Sequence, residues 1–97
     1  METLNFEYPA RGRLTRRAHV GVVGSGDLEV LLEPSTGDTS EVRVRTSVGG
    51  YGRAWKAVLD RFFAHFEPAV RVEINDFGAT PGTVALRLEQ AAEEVGP

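Results

Sequence analysis

In the stretch HVGVVGSGDLEVLLE, residues 19–33, apolar side chains alternate with polar or small ones on both sides of a tetrapeptide that does not suit a strand. Val20 and Val22 share one face before it; Leu28, Val30 and Leu32 share one face after it. Successive side chains of an extended chain point to opposite faces, so a period of two on each flank marks two β-strands. Between them, Gly24-Ser25-Gly26-Asp27 is turn chemistry, because glycine takes positive φ without a Cβ clash. The stretch reads as a hairpin of strands 17–23 and 27–33 with a serine hydroxyl at its tip.

Working outward, Leu4, Phe6 and Tyr8 alternate with Asn5 and Glu7, which predicts a half-buried strand over 2–8, ended by Pro9 and Gly12. Beyond the hairpin, Pro34-Ser35-Thr36-Gly37-Asp38 forms a turn. Alternation resumes over 41–48, with Val42, Val44, Thr46 and Val48 on one face and Arg43 and Arg45 on the other. If this strand pairs with 27–33, Glu29 and Glu33 can meet those arginines, at roughly 0.2–1 kcal/mol per pair. A solvated sheet face accounts for the four charges equally well.

After Gly49-Gly50 and Gly52 the period changes. Trp55, Val58, Leu59, Phe62, Phe63 and Phe66 form one stripe of a helix over about 53–66, stopped by Glu67-Pro68. Its aromatics read as a core face, and His65 as a solvated partner near the helix end. Val70, Val72 and Ile74 make a fifth strand. Thr80 is the expected N-cap and Pro81 the first residue of a last helix over about 81–94, with Val84, Leu88, Ala91, Ala92 and Val95 on one side. Strand, helix, strand implies a right-handed crossover that makes strands four and five parallel neighbours. The four strands before it are expected to pair as hairpins. The expected fold class is α+β: a two-layer sandwich in which a mixed, mostly antiparallel five-stranded sheet carries two helices on one face, as a single domain over residues 1–97.

Composition narrows the function. The 97-residue chain is 41% hydrophobic and 26% charged, a globular profile. Its net charge of −3 offers no support for general nucleic-acid or membrane-surface binding. No apolar run approaches the ~20 residues of a membrane span. The opening METLNFEYPA lacks a secretory pattern, so a cytoplasmic location is expected. With no cysteine there is no disulfide, thiolate metal site or catalytic thiol. The two histidines, His19 and His65, give a metal site little support.

Three stretches attract attention. NDFGATPG, residues 75–82, could bind an anion at a helix N-terminus, but neither the dinucleotide nor the P-loop spacing is present, and a capped strand-to-helix turn is the better reading. Arg11, Arg13, Arg16 and Arg17 form a basic cluster that could dock a phosphate or an acidic partner, or simply be a solvated loop. Ser25 lacks what a hydrolase nucleophile needs. His19 sits on a strand that carries it away from the tip, and Val23 and Asp27 stand where a G-x-S-x-G elbow needs glycine. A serine modified by another enzyme needs instead an exposed hydroxyl with small neighbours. Gly24 and Gly26 provide that, although a plain turn serine satisfies the spacing too.

VGVVGSGDLEVLLEP, together with METLNFEYPA, VRVRTSV and INDFGATPGTVALRLEQAAEE, resembles the acyl carrier subunit of bacterial malonate decarboxylase. The likeness runs through nearly the whole chain and is most specific at the serine segment and the DFGATPG turn. The resemblance implies that Ser25 carries 2′-(5″-phosphoribosyl)-3′-dephospho-coenzyme A through a phosphodiester bond, attached by a holo-carrier synthase. It implies a non-catalytic subunit that shuttles acetyl and malonyl thioesters between acyltransferase and decarboxylase subunits, with no nucleic-acid or membrane partner. A prosthetic thiol suits a chain without cysteine. A citrate-lyase-type acyl carrier uses the same group and is the alternative within the carrier class; a non-covalent protein-interaction domain is the alternative outside it.

Overall fold

Alternation in the sequence becomes burial in the strands of the computed structural model, which describes residues 1–96. The elements, in chain order, are β1 (Glu2–Pro9), β2 (Ala18–Gly21), β3 (Leu28–Pro34), β4 (Thr39–Thr46), α1 (Gly52–Phe63), β5 (Val70–Asp76) and α2 (Pro81–Val95). One face of β3, β4 and β5 puts Leu28, Val30, Leu32, Val42, Val44, Val70, Val72 and Ile74 out of solvent. Both helices cover that face. α1 contributes Trp55, Val58, Leu59 and Phe62, and α2 contributes Val84, Leu88, Ala91 and Val95, to one continuous core. The fold is α+β with two helices on one face of a mixed sheet, as the sequence predicts.

The sheet order is β1-β4-β5-β3-β2. β2 and β3 form the expected antiparallel hairpin, with Val20 opposite Val30. β4 and β5 are the expected parallel neighbours, with Val44 beside Ile74. The other hairpin pairings are corrected: β1 pairs antiparallel with β4, and β3 pairs antiparallel with β5. The crossover through α1 inserts β5 between β3 and β4, so Glu29 and Glu33 do not meet Arg43 and Arg45. Arg43 stands beside Glu73 instead, Glu33 opposite Arg71, and Glu29 opposite Asn75. Asn75 Nδ2 donates to Glu29 Oε1 at 2.8 Å.

One strand end and one helix end also depart from expectation. β4 stops at Thr46, and Val48, expected to continue its buried face, is 40% exposed. α1 stops at Phe63, short of Glu67-Pro68, with His65 N–H donating to Phe62 O at 3.2 Å as the last turn tightens. Phe63 and Phe66 therefore pack beyond the regular stripe: Tyr8 stacks on Phe63 with ring centroids 4.4 Å apart, and Phe66 stacks on Phe62 at 4.9 Å. Tyr8 also donates its hydroxyl proton to Asp60 Oδ1 at 2.7 Å, tying edge strand β1 to α1. Burial first, then that hydrogen bond, raises the Tyr8 hydroxyl pKa above its ordinary value.

Candidate functional site: the Ser25 turn

β2 ends where its backbone turns left-handed. Gly21 has φ +84°, and a Cβ there would overlap the carbonyl oxygen of Leu28 across the hairpin. Val22 and Val23 then leave the sheet and are 58% and 59% exposed. The expectation that Val22 shares the buried face of Val20 is thus corrected, because the bend at Gly21 breaks the period-two pattern. The connection closes with a β-turn in which Asp27 N–H donates to Gly24 O at 3.0 Å. Gly26, at the third position, has φ +77°, the requirement of a type II turn. Ser25 occupies the second position and is exposed. A Cβ added to Gly26 would meet nothing within 4 Å, so one flank of the serine is open space.

The exposed turn is nevertheless held firmly from below. Gly26 N–H donates to Phe77 O at 2.7 Å, and Phe77 N–H donates to Asp27 O at 2.9 Å, stitching the serine turn to the loop after β5. Asp27 Oδ1 accepts from Leu28 N–H at 2.7 Å and from Arg87 Nε at 3.2 Å, while Oδ2 accepts from Arg87 Nη2 at 2.6 Å. This two-pronged pair, with side chains 20% and 25% exposed, fastens the turn to α2. The Arg87 guanidinium, helped by the Leu28 amide, holds the Asp27 carboxyl below the usual carboxylate range, and the same bond raises Arg87. Gln90 Oε1 accepts from Arg87 Nη1 at 3.1 Å and steadies the guanidinium.

The loop that grips the turn is itself well capped. Asp76, buried at the end of β5, accepts from Thr46 Oγ1 at 2.8 Å through Oδ2 and from Ala79 N–H at 3.0 Å through Oδ1. Thr80 Oγ1 accepts from Thr83 N–H at 3.2 Å as the N-cap of α2, and Pro81 follows it into the first turn. NDFGATPG is therefore the capped strand-to-helix turn that its sequence suggests. It also has a second task that the sequence does not announce, supporting the loop that presents Ser25.

The remaining candidates lie apart from Ser25. His19 bonds Glu29 Oε2 at 2.8 Å across the hairpin, and His65 bonds Glu89 Oε1 of α2 at 2.8 Å. His65, just past the end of α1, thus links that end to α2. Neither histidine is positioned as a base for the serine. Among the described residues no group of three or more His, Cys, Asp or Glu side chains is set to hold a metal ion. Arg11, Arg13, Arg16 and Arg17 are exposed in the β1–β2 connection, where the backbone of Arg13 bridges to that of Ala69. The structure brings none of these groups to Ser25. It adds Asp27 and Arg87, a pair 60 residues apart that no local spacing could reveal.

Known proteins share this architecture and sequence. The malonate decarboxylase acyl carrier protein of Azotobacter vinelandii is 57% identical over 96 residues, covering 98% of this chain and 97% of that protein. That of Pseudomonas fluorescens is 55% identical over 97 residues, covering 99% and 98%. A chain in the crystal structure of a Pseudomonas malonate decarboxylase hetero-tetramer in complex with malonate superposes with a TM-score of 0.94 at 52% identity, over 99% of this chain and 100% of that one. A family model described as an acyl carrier protein, the malonate decarboxylase delta subunit, matches residues 15–95. The chain belongs to the malonate decarboxylase delta-subunit family of acyl carrier proteins.

Proposed function

We propose that this protein is the acyl carrier subunit of a malonate decarboxylase and that Ser25 is the attachment point of its prosthetic group, 2′-(5″-phosphoribosyl)-3′-dephospho-coenzyme A. The observation that carries the reading is the Ser25 turn: an exposed primary hydroxyl beside a glycine whose missing Cβ leaves open space, on a loop anchored by two backbone hydrogen bonds and the Asp27–Arg87 pair. A primary hydroxyl is a suitable nucleophile for a phosphodiester, and the open space beside Gly26 leaves room for a transferring enzyme, so the site fits the group.

In loading, Ser25 Oγ bonds to the phosphorus of the donor's 5″-phosphate as the bond to a phosphate-type leaving group breaks. The hydroxyl proton passes to a base of the transferring enzyme, since His19 and His65 are held elsewhere. Val22 and Val23, exposed beside the turn, offer that enzyme an apolar surface to close upon. When bound, the group supplies the thiol that holds acetyl or malonyl as a thioester, which a chain without cysteine cannot do itself. The chain holds the tether on a rigid turn and presents it in succession to acyltransferase and decarboxylase subunits. Tethering replaces free diffusion by a high local concentration, and the domain itself catalyses no step. The relatives described above are named for malonate, which favours it over citrate. A holo-carrier synthase and a cytoplasmic setting complete the reading.

Intact-mass measurement and peptide mapping test it. The chain, co-expressed with enzymes that make and transfer the group, should gain the mass of the group on the peptide containing Ser25. Ser25→Ala should fold with an unchanged circular dichroism spectrum and gain nothing. A Ser25→Ala chain that still acquires the group, or an unmodified native chain alongside a loaded control carrier, overturns the assignment and leaves a non-covalent interaction domain.

A further inference from the structure

An apolar cleft of about 380 Å³ opens between the N-terminal ends of α1 and α2, with Val48, Tyr51, Trp55, Gly78, Ala79 and Val84 among its walls. Its rim is unusually bare for apolar side chains, Val48 being 40% and Tyr51 56% exposed. Asp76, the carboxylate in the lining, is taken up by Thr46 Oγ1 and the Gly78 and Ala79 N–H groups. The cleft is thus mostly apolar and suits shape and aromatic contact better than polar pairing. It also adjoins the serine turn: Gly78 forms part of its wall, and a Cβ on Gly78 would lie 3.9 Å from Gly26 N, one residue from Ser25. By contrast, the concavity on the open sheet face has Asn5, Glu7, Glu41, Arg43, Arg71 and Glu73 among its lining, and is far more polar.

We propose that this cleft is a binding site for a purine ring, and that it holds the adenine of the nucleotide tethered to Ser25. The second clause rests on the carrier reading above. The adenine is the planar aromatic part of the group and stands in its near half, two sugars from the seryl phosphate, so a cleft adjoining Ser25 is within its reach. The pantetheine end lies farther out and has no ring to set against Tyr51 or Trp55. Docking the adenine leaves the pantetheine end as the moving part of the arm, shortening the swing and fixing its origin. Tethering also lets an intrinsically weak site fill, because the ring is never far away.

The test uses the full chain without its group, labelled with nitrogen-15 and titrated with adenosine 5′-monophosphate and, separately, with pantetheine. Adenosine monophosphate should produce saturable shifts of the Trp55 indole N–H and of the Ala79 and Val84 amides, and pantetheine should not. Tyr51→Ala removes an exposed rim ring without touching the core, and should weaken that binding about fivefold or more. The same signals should move on loading Ser25. Absence of saturable shifts, shifts with pantetheine alone, or unchanged affinity in Tyr51→Ala overturns the purine site. If adenosine monophosphate binds but Ser25 gains no mass, the carrier reading fails while the purine site stands. If Ser25 is loaded and the cleft signals stay still, the adenine placement fails while the carrier reading stands.

Discussion

At the residue scale, the glycines around Ser25 have different duties, and substitution separates them. Gly21→Ala meets both a left-handed backbone and an overlap with the Leu28 carbonyl, so it should cost about 3 kcal/mol or more in urea denaturation. Gly26→Ala meets only the backbone strain, because the space beside it is open, and should cost about 1–2 kcal/mol. Equal losses in the two variants would contradict the geometry. Asp27 sets a pH dependence. Its folded-state pKa is depressed, chiefly by Arg87, so the stability it contributes is complete above the ordinary carboxylate value of about 3.9 and is lost as pH falls through the folded value. Asp27→Asn should therefore be less stable than the native chain at pH 7, with the gap narrowing below about pH 4. Asp60, depressed by Lys56 and Tyr8, leaves part of the acid sensitivity in place in both chains. Ser25 and its glycines were legible in the sequence as an accessible hydroxyl in a turn. Arg87 was not, since α2 brings it to Asp27 only after the helix has docked.

At the element scale, capping and periodicity carried most of the information. Thr80 and Pro81 announce the start of α2, and the structure uses both as expected. Thr80→Ala removes the acceptor for Thr83 N–H and should destabilise the protein by about 1 kcal/mol, measured as a shift of the urea midpoint at unchanged slope. A change in slope would mean that more than the cap is lost. Strand ends were less legible than strand interiors. Val22 and Val48 continue the alternating pattern on paper but stand in the open, because Gly21 turns the chain and Thr46 ends β4 with its hydroxyl bonded to Asp76. The end of α1 was set by packing as well: Phe63 and Phe66 belong to the aromatic group around Tyr8 and Phe62 rather than to one unbroken stripe.

At the scale of the whole molecule, β5 is the structural centre, hydrogen-bonded on one side to β4 and on the other to β3. Amides of Val72 and Ile74 should exchange with deuterium most slowly among the strands, and those of the edge strands β1 and β2 faster. Equal protection across the sheet would contradict that order. The central place of β5 also explains why Glu29 and Glu33 do not meet Arg43 and Arg45, since β3 and β4 do not pair: Glu73 stands beside Arg43, and Arg71 opposite Glu33. By itself the sequence determined the five strands, the two helices, the parallel β4–β5 pair and the exposure of Ser25. These follow from local periodicity, turn residues and the handedness of a crossover, all of which act over a few residues or one connection. Only the tertiary structure decided the order of the strands, the Asp27–Arg87 clasp and the cleft beside the serine turn. Each joins segments distant in the chain, and the burial of both helices against one sheet face brings them together.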